Sequence, residues 1–113
     1  MISHINEITN EVLSAAKNTL GERLEKVVLF GSYARGDYDN ESDVDIFILA
    51  NIPQIEADKW RREIRNNMPD LDLEYDMVIS LHISCTDIFN KYRQSLPFYQ
   101  NVMNEGVEIY DRY

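Results

Sequence analysis

The sequence predicts an α+β fold, α/β-like in its order of elements, with a small mixed sheet flanked by helices. Three observations predict it. Apolar residues recur at helical spacing through the first twenty positions, Val27-Val28-Leu29-Phe30 is a continuous run of the kind buried on both faces of a sheet, and Leu71 to Leu81 alternates apolar and polar residues. The 113 residues predict one domain, 1–113, built around one packed core, with no second lobe to hold an acceptor. A hydrophobic fraction of 44% and a charged fraction of 27%, with 4 Gly and 3 Pro, are those of a folding chain rather than a disordered one.

In the first element, Ile5, Ile8, Val12, Ala16 and Leu20 form one stripe of a helix that Gly21 ends in a left-handed cap. Val27 to Phe30 is a buried strand ending at Gly31-Ser32, and Gly36 to Ser42, rich in turn-forming and charged residues, is an exposed loop. A second strand runs from Asp43 to Leu49. Pro53 opens a helix whose stripe is Ile52, Ala57, Trp60, Ile64 and Met68, and Pro69 stops it. The odd positions from Leu71 to Leu81 are apolar, which predicts a third strand with Asp72, Glu74 and Asp76 on its polar face. Ser84 to Arg93 and Pro97 to Glu105 are expected helices, the second closed by Gly106, and Val107 to Tyr110 an edge strand.

Several function classes are excluded by composition. Eleven Lys and Arg against 20 Asp and Glu give a net charge of −9, which repels a phosphate backbone, so nucleic acid is not an expected direct partner. The longest apolar run, Ile46 to Ala50, is far short of the ~20 residues that span a membrane. The first ten residues have neither the basic nor the apolar region of a signal peptide. One cysteine, Cys85, cannot pair within the chain; a structural thiol and a cytoplasmic location are expected.

The residues that carry chemistry lie between 31 and 45. Asp43 and Asp45, two apart in a strand, present both carboxylates on one face with Cα atoms roughly 6.5 Å apart. Like charges so close need neutralising, and oxygen-only ligands select hard cations, two Mg²⁺ or Mn²⁺ ions, rather than Zn²⁺. His4, His82 and Cys85 lack metal-site spacing to the pair. An isolated Asp-x-Asp is more often just the polar end of a strand. Gly31-Ser32 changes its meaning, because a glycine turn after a buried strand, opening a helical turn, can cradle phosphate with backbone amides and the Ser32 hydroxyl, and Arg35 one turn later can add charge. Trp60 belongs to the core stripe, and Arg61, Arg62 and Arg65 to a solvated helix face. Tyr38, in the loop, could meet a substrate, and Tyr33 and Tyr38 could modify themselves.

Gly31-Ser32-Tyr33-Ala34-Arg35-Gly36 followed by Ser42-Asp43-Val44-Asp45, with ten residues between Ser32 and Asp43, closely resembles the signature of the DNA polymerase β-like nucleotidyltransferases. The Gly-Ser-x-Ala-Arg-Gly form, the short length and the ending from Phe98 to Tyr110 look like the minimal nucleotidyltransferases (MNT) that pair with HEPN-domain proteins. The resemblance implies a polymerase β-type nucleotidyltransferase fold, and two Mg²⁺ ions bridged by Asp43 and Asp45. It also implies a third carboxylate on a neighbouring strand, ligating only the metal that activates the attacking hydroxyl, which it places at Asp76 where parity alone leaves Asp72, Glu74 and Asp76 equal. It implies transfer of AMP from ATP to a hydroxyl, with the acceptor a tyrosine of a HEPN ribonuclease toxin, this chain as its antitoxin, and a hetero-oligomer. Two other readings remain: neutralisation of a basic partner by stoichiometric binding, to which −9 is suited, and a regulatory domain that senses nucleotides without chemistry.

Overall fold

The computed structural model describes residues 3–39 and 41–113; Met1 and Ile2 of the predicted first helix region, and Asn40 of the predicted loop, lie outside them. The elements are α1 (Ser3–Leu20), β1 (Leu24–Phe30), α2 (Ser32–Arg35), β2 (Val44–Ala50), α3 (Ala57–Asn66), α4 (Leu71–Tyr75), β3 (Ile79–Cys85), α5 (Thr86–Tyr92), α6 (Pro97–Glu105) and β4 (Val107–Asp111). The strands form one sheet in the order β3-β2-β1-β4. β1 is antiparallel to β2 and to β4, while β2 and β3 are parallel, so the sheet is mixed as the sequence predicts. A parallel neighbour needs a long crossover, and the segment holding α3 and α4 supplies it.

Burial follows from the period of two along β2. Val44, Ile46, Ile48 and Ala50 join Ile8, Val12 and Ala16 of α1 and Ile64 of α3 in the larger core. Phe47 and Leu49 point the other way, into a smaller core with Phe89 of α5 and Tyr99 and Val102 of α6. Every residue of β2 is buried except Asp45. A carboxylate at that position, on a strand otherwise closed on both faces, marks the end of the sheet where a site can open.

The segment Leu71 to Leu81 is not one strand. Leu71–Tyr75 is a helix, and the strand runs from Ile79 to Cys85. Alternation over five residues also satisfies the i, i+4 spacing of a helix, and Asp70 decides between them by capping: its side chain accepts from the backbone N–H of Leu73. Leu71 is then buried and Leu73 is 79% exposed, which a strand would not produce. Ser84 and Cys85, predicted to begin a helix, end β3, and the buried Cys85 Sγ accepts from the N–H of Ile88 as the cap of α5. The third helix starts at Ala57, after a 3₁₀ turn at Gln54–Glu56, rather than at Pro53, and ends before Met68. Gly106 follows α6 with φ −70°, so no left-handed cap closes that helix; a Cβ there would strike Val102 O and Val28 Cγ1. None of the described helices is long and apolar enough to cross a membrane.

Candidate active site

β1 runs straight into the Gly-Ser turn. Gly31 has φ 75° and ψ −157°, a conformation that essentially only glycine adopts, and its carbonyl accepts from the N–H groups of Ala34 and Arg35, both at 3.1 Å. That winds α2 immediately, with the half-buried Ser32 as its first residue. The antiparallel register sets Phe30 opposite Asp45, so the turn and the start of β2 are neighbours. Their approach is close: a Cβ on Gly31 would lie 2.5 Å from Asp45 Oδ2.

The two aspartates differ in surroundings. Asp43, just ahead of β2, is exposed; the Asp45 side chain is 26% exposed and its Oδ1 lies 3.4 Å from His82 Nε2. His82 reaches it because β2 and β3 are parallel, with Asp45 beside Ser80 and Phe47 beside His82. Sequence reasoning set His82 aside for want of metal-site spacing. The signal that finds it is the alternation Ser80, His82, Ser84 between apolar neighbours, which marks the face of β3 shared with Asp45. Phe30 lies edge-on to His82 at 5.1 Å between ring centroids, and Phe98 lies 5.7 Å away on another side.

The three carboxylates that parity leaves equal differ in their partners. Asp72 is committed to the scaffold: Oδ1 accepts from Arg65 at 2.8 Å and Oδ2 from the N–H of Ile79 at 2.9 Å. Asp76 does not stand on the polar face of a strand; it ends α4 in the left-handed region, φ 53° and ψ 50°. It is exposed, and with Asp43, Asp72, Ser42 and Met77 it lines a depression of about 200 Å³. Glu74 is exposed on α4 and takes no part in that wall.

Arg35 is engaged elsewhere than at a phosphate site: Nε donates to Asp37 at 3.1 Å and Nη1 to Glu105 at 3.2 Å, hydrogen bonds that raise its pKa. Tyr33 and Tyr38 are stacked, with centroids 4.4 Å apart and planes 10° from parallel. Burial, and then the charges of Tyr38 and Asp39, push the Tyr33 hydroxyl above its ordinary pKa.

Among the described residues no three His, Cys, Asp or Glu side chains are grouped as a metal site. Asp43 and Asp45 alone offer a hard cation part of its shell, with oxygen donors only. Gly31 admits the Asp45 carboxylate to this position, because a side chain there would meet it. The donor set fits Mg²⁺ bound jointly by protein and phosphate oxygens.

A family model described as a nucleotidyltransferase domain matches residues 9–107. Two candidate protein adenylyltransferases of Methanocaldococcus jannaschii are 38% and 36% identical over 105 and 100 residues, covering 93% and 88% of this chain and 98% and 92% of theirs. A chain from a toxin–antitoxin crystal structure with AMP-PNP has a TM-score of 0.58 at 21% identity, over 91% of this chain and 73% of that one. A candidate nucleotidyltransferase from Sulfolobus solfataricus gives 0.55 at 21% identity, over 99% and 81%. At such identity the structural likeness speaks for the fold.

Proposed function

The chain belongs to the nucleotidyltransferase domain family, and on that premise we propose that it transfers AMP from ATP to a hydroxyl of a partner protein, with release of pyrophosphate. The observation that carries this reading is the Asp43–Asp45 pair at the mouth of the sheet, its second carboxylate seated against the Gly31-Ser32 turn. In the reaction the acceptor oxygen forms a bond to the α-phosphorus, the bond from that phosphorus to the oxygen bridging to the β-phosphorus breaks, that oxygen leaving with pyrophosphate, and the hydroxyl proton passes to the Asp76 carboxylate. Asp43 and Asp45 would hold Mg²⁺, which would neutralise charge on the phosphates and acidify the acceptor hydroxyl. Gly31 lets the backbone come close to phosphate, and Ser32 donates its hydroxyl to an oxygen of the departing pyrophosphate. Asp76, which lines the same depression as Asp43 and, unlike Asp72, has no side-chain hydrogen bond among the described residues, takes the third-carboxylate role on the acceptor side. Arg35 would join the phosphates only by leaving Asp37 and Glu105.

A protein acceptor is favoured by the relatives that are named for protein adenylylation and match over almost their whole length. A toxin partner is favoured by the toxin–antitoxin neighbours, so we assign this chain the antitoxin role, with a tyrosine of a HEPN toxin as acceptor. The test is intact-mass analysis of a HEPN-domain protein from the same genome, in molar excess over this chain, with ATP and Mg²⁺. Adenylylation of the whole excess is expected, and none with Asp43→Asn or Asp45→Asn. The −9 charge favours one other reading, stoichiometric neutralisation of a basic partner. An unmodified toxin, inhibited only up to equimolar protein without nucleotide, would establish that reading instead.

A further inference from the structure

We propose that Phe98, backed by Phe30 and His82, is the platform on which the base of the nucleotide stacks. The proposal rests on the nucleotidyl-transfer reading of the Asp43–Asp45 site and extends it to the part of the substrate that does not react.

The three rings form one cluster reaching from the site to the surface. Phe30 meets Phe98 edge-on at 5.5 Å and 88°, and His82 at 5.1 Å and 68°; His82 meets Phe98 at 5.7 Å. His82 is also the side chain in contact with Asp45. His82 thus touches the Asp45 carboxylate and the Phe98 ring alike, which places that ring at the edge of the site. Phe98 is 40% exposed, whereas Phe47 and Tyr99, which it also touches, are buried at 1% and 7%. Phe98 and the half-exposed His82 are therefore the open side of an aromatic cluster whose inner members, Phe47 and Tyr99, are closed, on the face of the sheet that carries Asp45.

The ring is held in place. Pro97 fixes the first turn of α6, and the hydroxyls of Tyr99 and Ser84 lie 3.2 Å apart, tying that turn to β3. A fixed aromatic loses little freedom on binding, so stacking energy is kept. The cluster offers π faces and edges, and its one polar group is turned to Asp45. Such a platform favours the larger stacking area of purines and discriminates weakly between adenine and guanine.

The experiment compares the full chain with Phe98→Leu, which keeps apolar volume without a ring, and Phe98→Trp, which enlarges the ring. Calorimetry with Mg²⁺ measures affinity for ATP and for inorganic tripolyphosphate, which has no base. Phe98→Leu should lose about tenfold for ATP and nothing for tripolyphosphate, while Phe98→Trp keeps ATP affinity. Parental ATP affinity in Phe98→Leu would overturn the platform, including the case where only toxin capture is lost and the ring proves to be a partner contact. Equal loss of both ligands would overturn it as well, since the damage would then lie in the scaffold. A parent protein that binds neither ligand would refute the nucleotide site itself, a result separate from any effect at Phe98.

Discussion

Gly31 and Asp45 occupy one space: the position a Cβ would take on Gly31 is 2.5 Å from Asp45 Oδ2. The glycine and the second aspartate of the motif are thus a packed pair across β1 and β2, as well as two neighbours of a phosphate. Gly31→Ala should act twice. The backbone, at φ 75° and ψ −157°, becomes strained at about 1–3 kcal/mol, and the Asp45 carboxylate must move. Expected outcomes are a lower melting temperature and a loss of transfer much larger than the folded fraction explains. A folded Gly31→Ala protein transferring at the parental rate would contradict the pairing.

Asp76 holds a left-handed backbone that most side chains avoid, which separates its conformation from its chemistry. Asp76→Ala should cost about 1 kcal/mol, Asp76→Asn little, and Asp76→Gly should be at least as stable as the parent. All three should lose transfer, because each removes the carboxylate. Thermal melts and single-turnover transfer measured on the same three proteins check both halves. An active Asp76→Gly would remove Asp76 from the reaction while leaving the stability order intact.

How far the sequence could be read depended on the length of each pattern. The long stripe of α1 and the apolar runs of β1 and β2 are legible because tertiary packing demands what their patterns display. Leu71 to Tyr75 misleads because five alternating residues suit two geometries, and a single cap, Asp70 to the Leu73 N–H, selects the helix. The predicted strand also stops at Leu81, one residue short of His82, where β3 continues to Cys85. The Gly-Ser and Asp-x-Asp motif is visible as a spacing, yet its meaning as a contact comes from the register that sets Phe30 opposite Asp45. The contact of His82 with Asp45 comes from the parallel pairing across the crossover, which no local pattern displays.

Asp72, on the same predicted face as Asp76, should behave oppositely. It joins α3 to the first residue of β3 by accepting from Arg65 and from the N–H of Ile79, a residue that is 1% exposed. Asp72→Ala leaves that buried N–H without an acceptor, at about 1–3 kcal/mol. Urea unfolding should show the loss, and hydrogen exchange should show faster exchange at the Ile79 amide. Transfer per folded molecule should stay within a few-fold of the parent. Complete loss of transfer in a folded Asp72→Ala would move the third carboxylate from Asp76 to Asp72.

The last prediction concerns His82, whose Nε2 is 3.4 Å from Asp45 Oδ1. Asp45 is bounded on one oxygen by the Gly31 backbone and on the other by this ring, so removing the ring frees a carboxylate that must otherwise be presented in one orientation. Metal affinity is sensitive to such outer partners, commonly by 10–100-fold. At 3.4 Å the contact is longer than a strong hydrogen bond, which places the expected effect at the lower end of that range. His82→Ala should raise the Mg²⁺ concentration needed for half-maximal tripolyphosphate binding by about tenfold. His82→Gln, which keeps an N–H donor, should recover most of it. Tripolyphosphate is the appropriate probe because it has no base, so a change at the aromatic cluster does not enter the measurement. If His82→Ala and His82→Gln both show the parental Mg²⁺ dependence, Asp45 is oriented by Gly31 alone and His82 serves only its neighbouring rings.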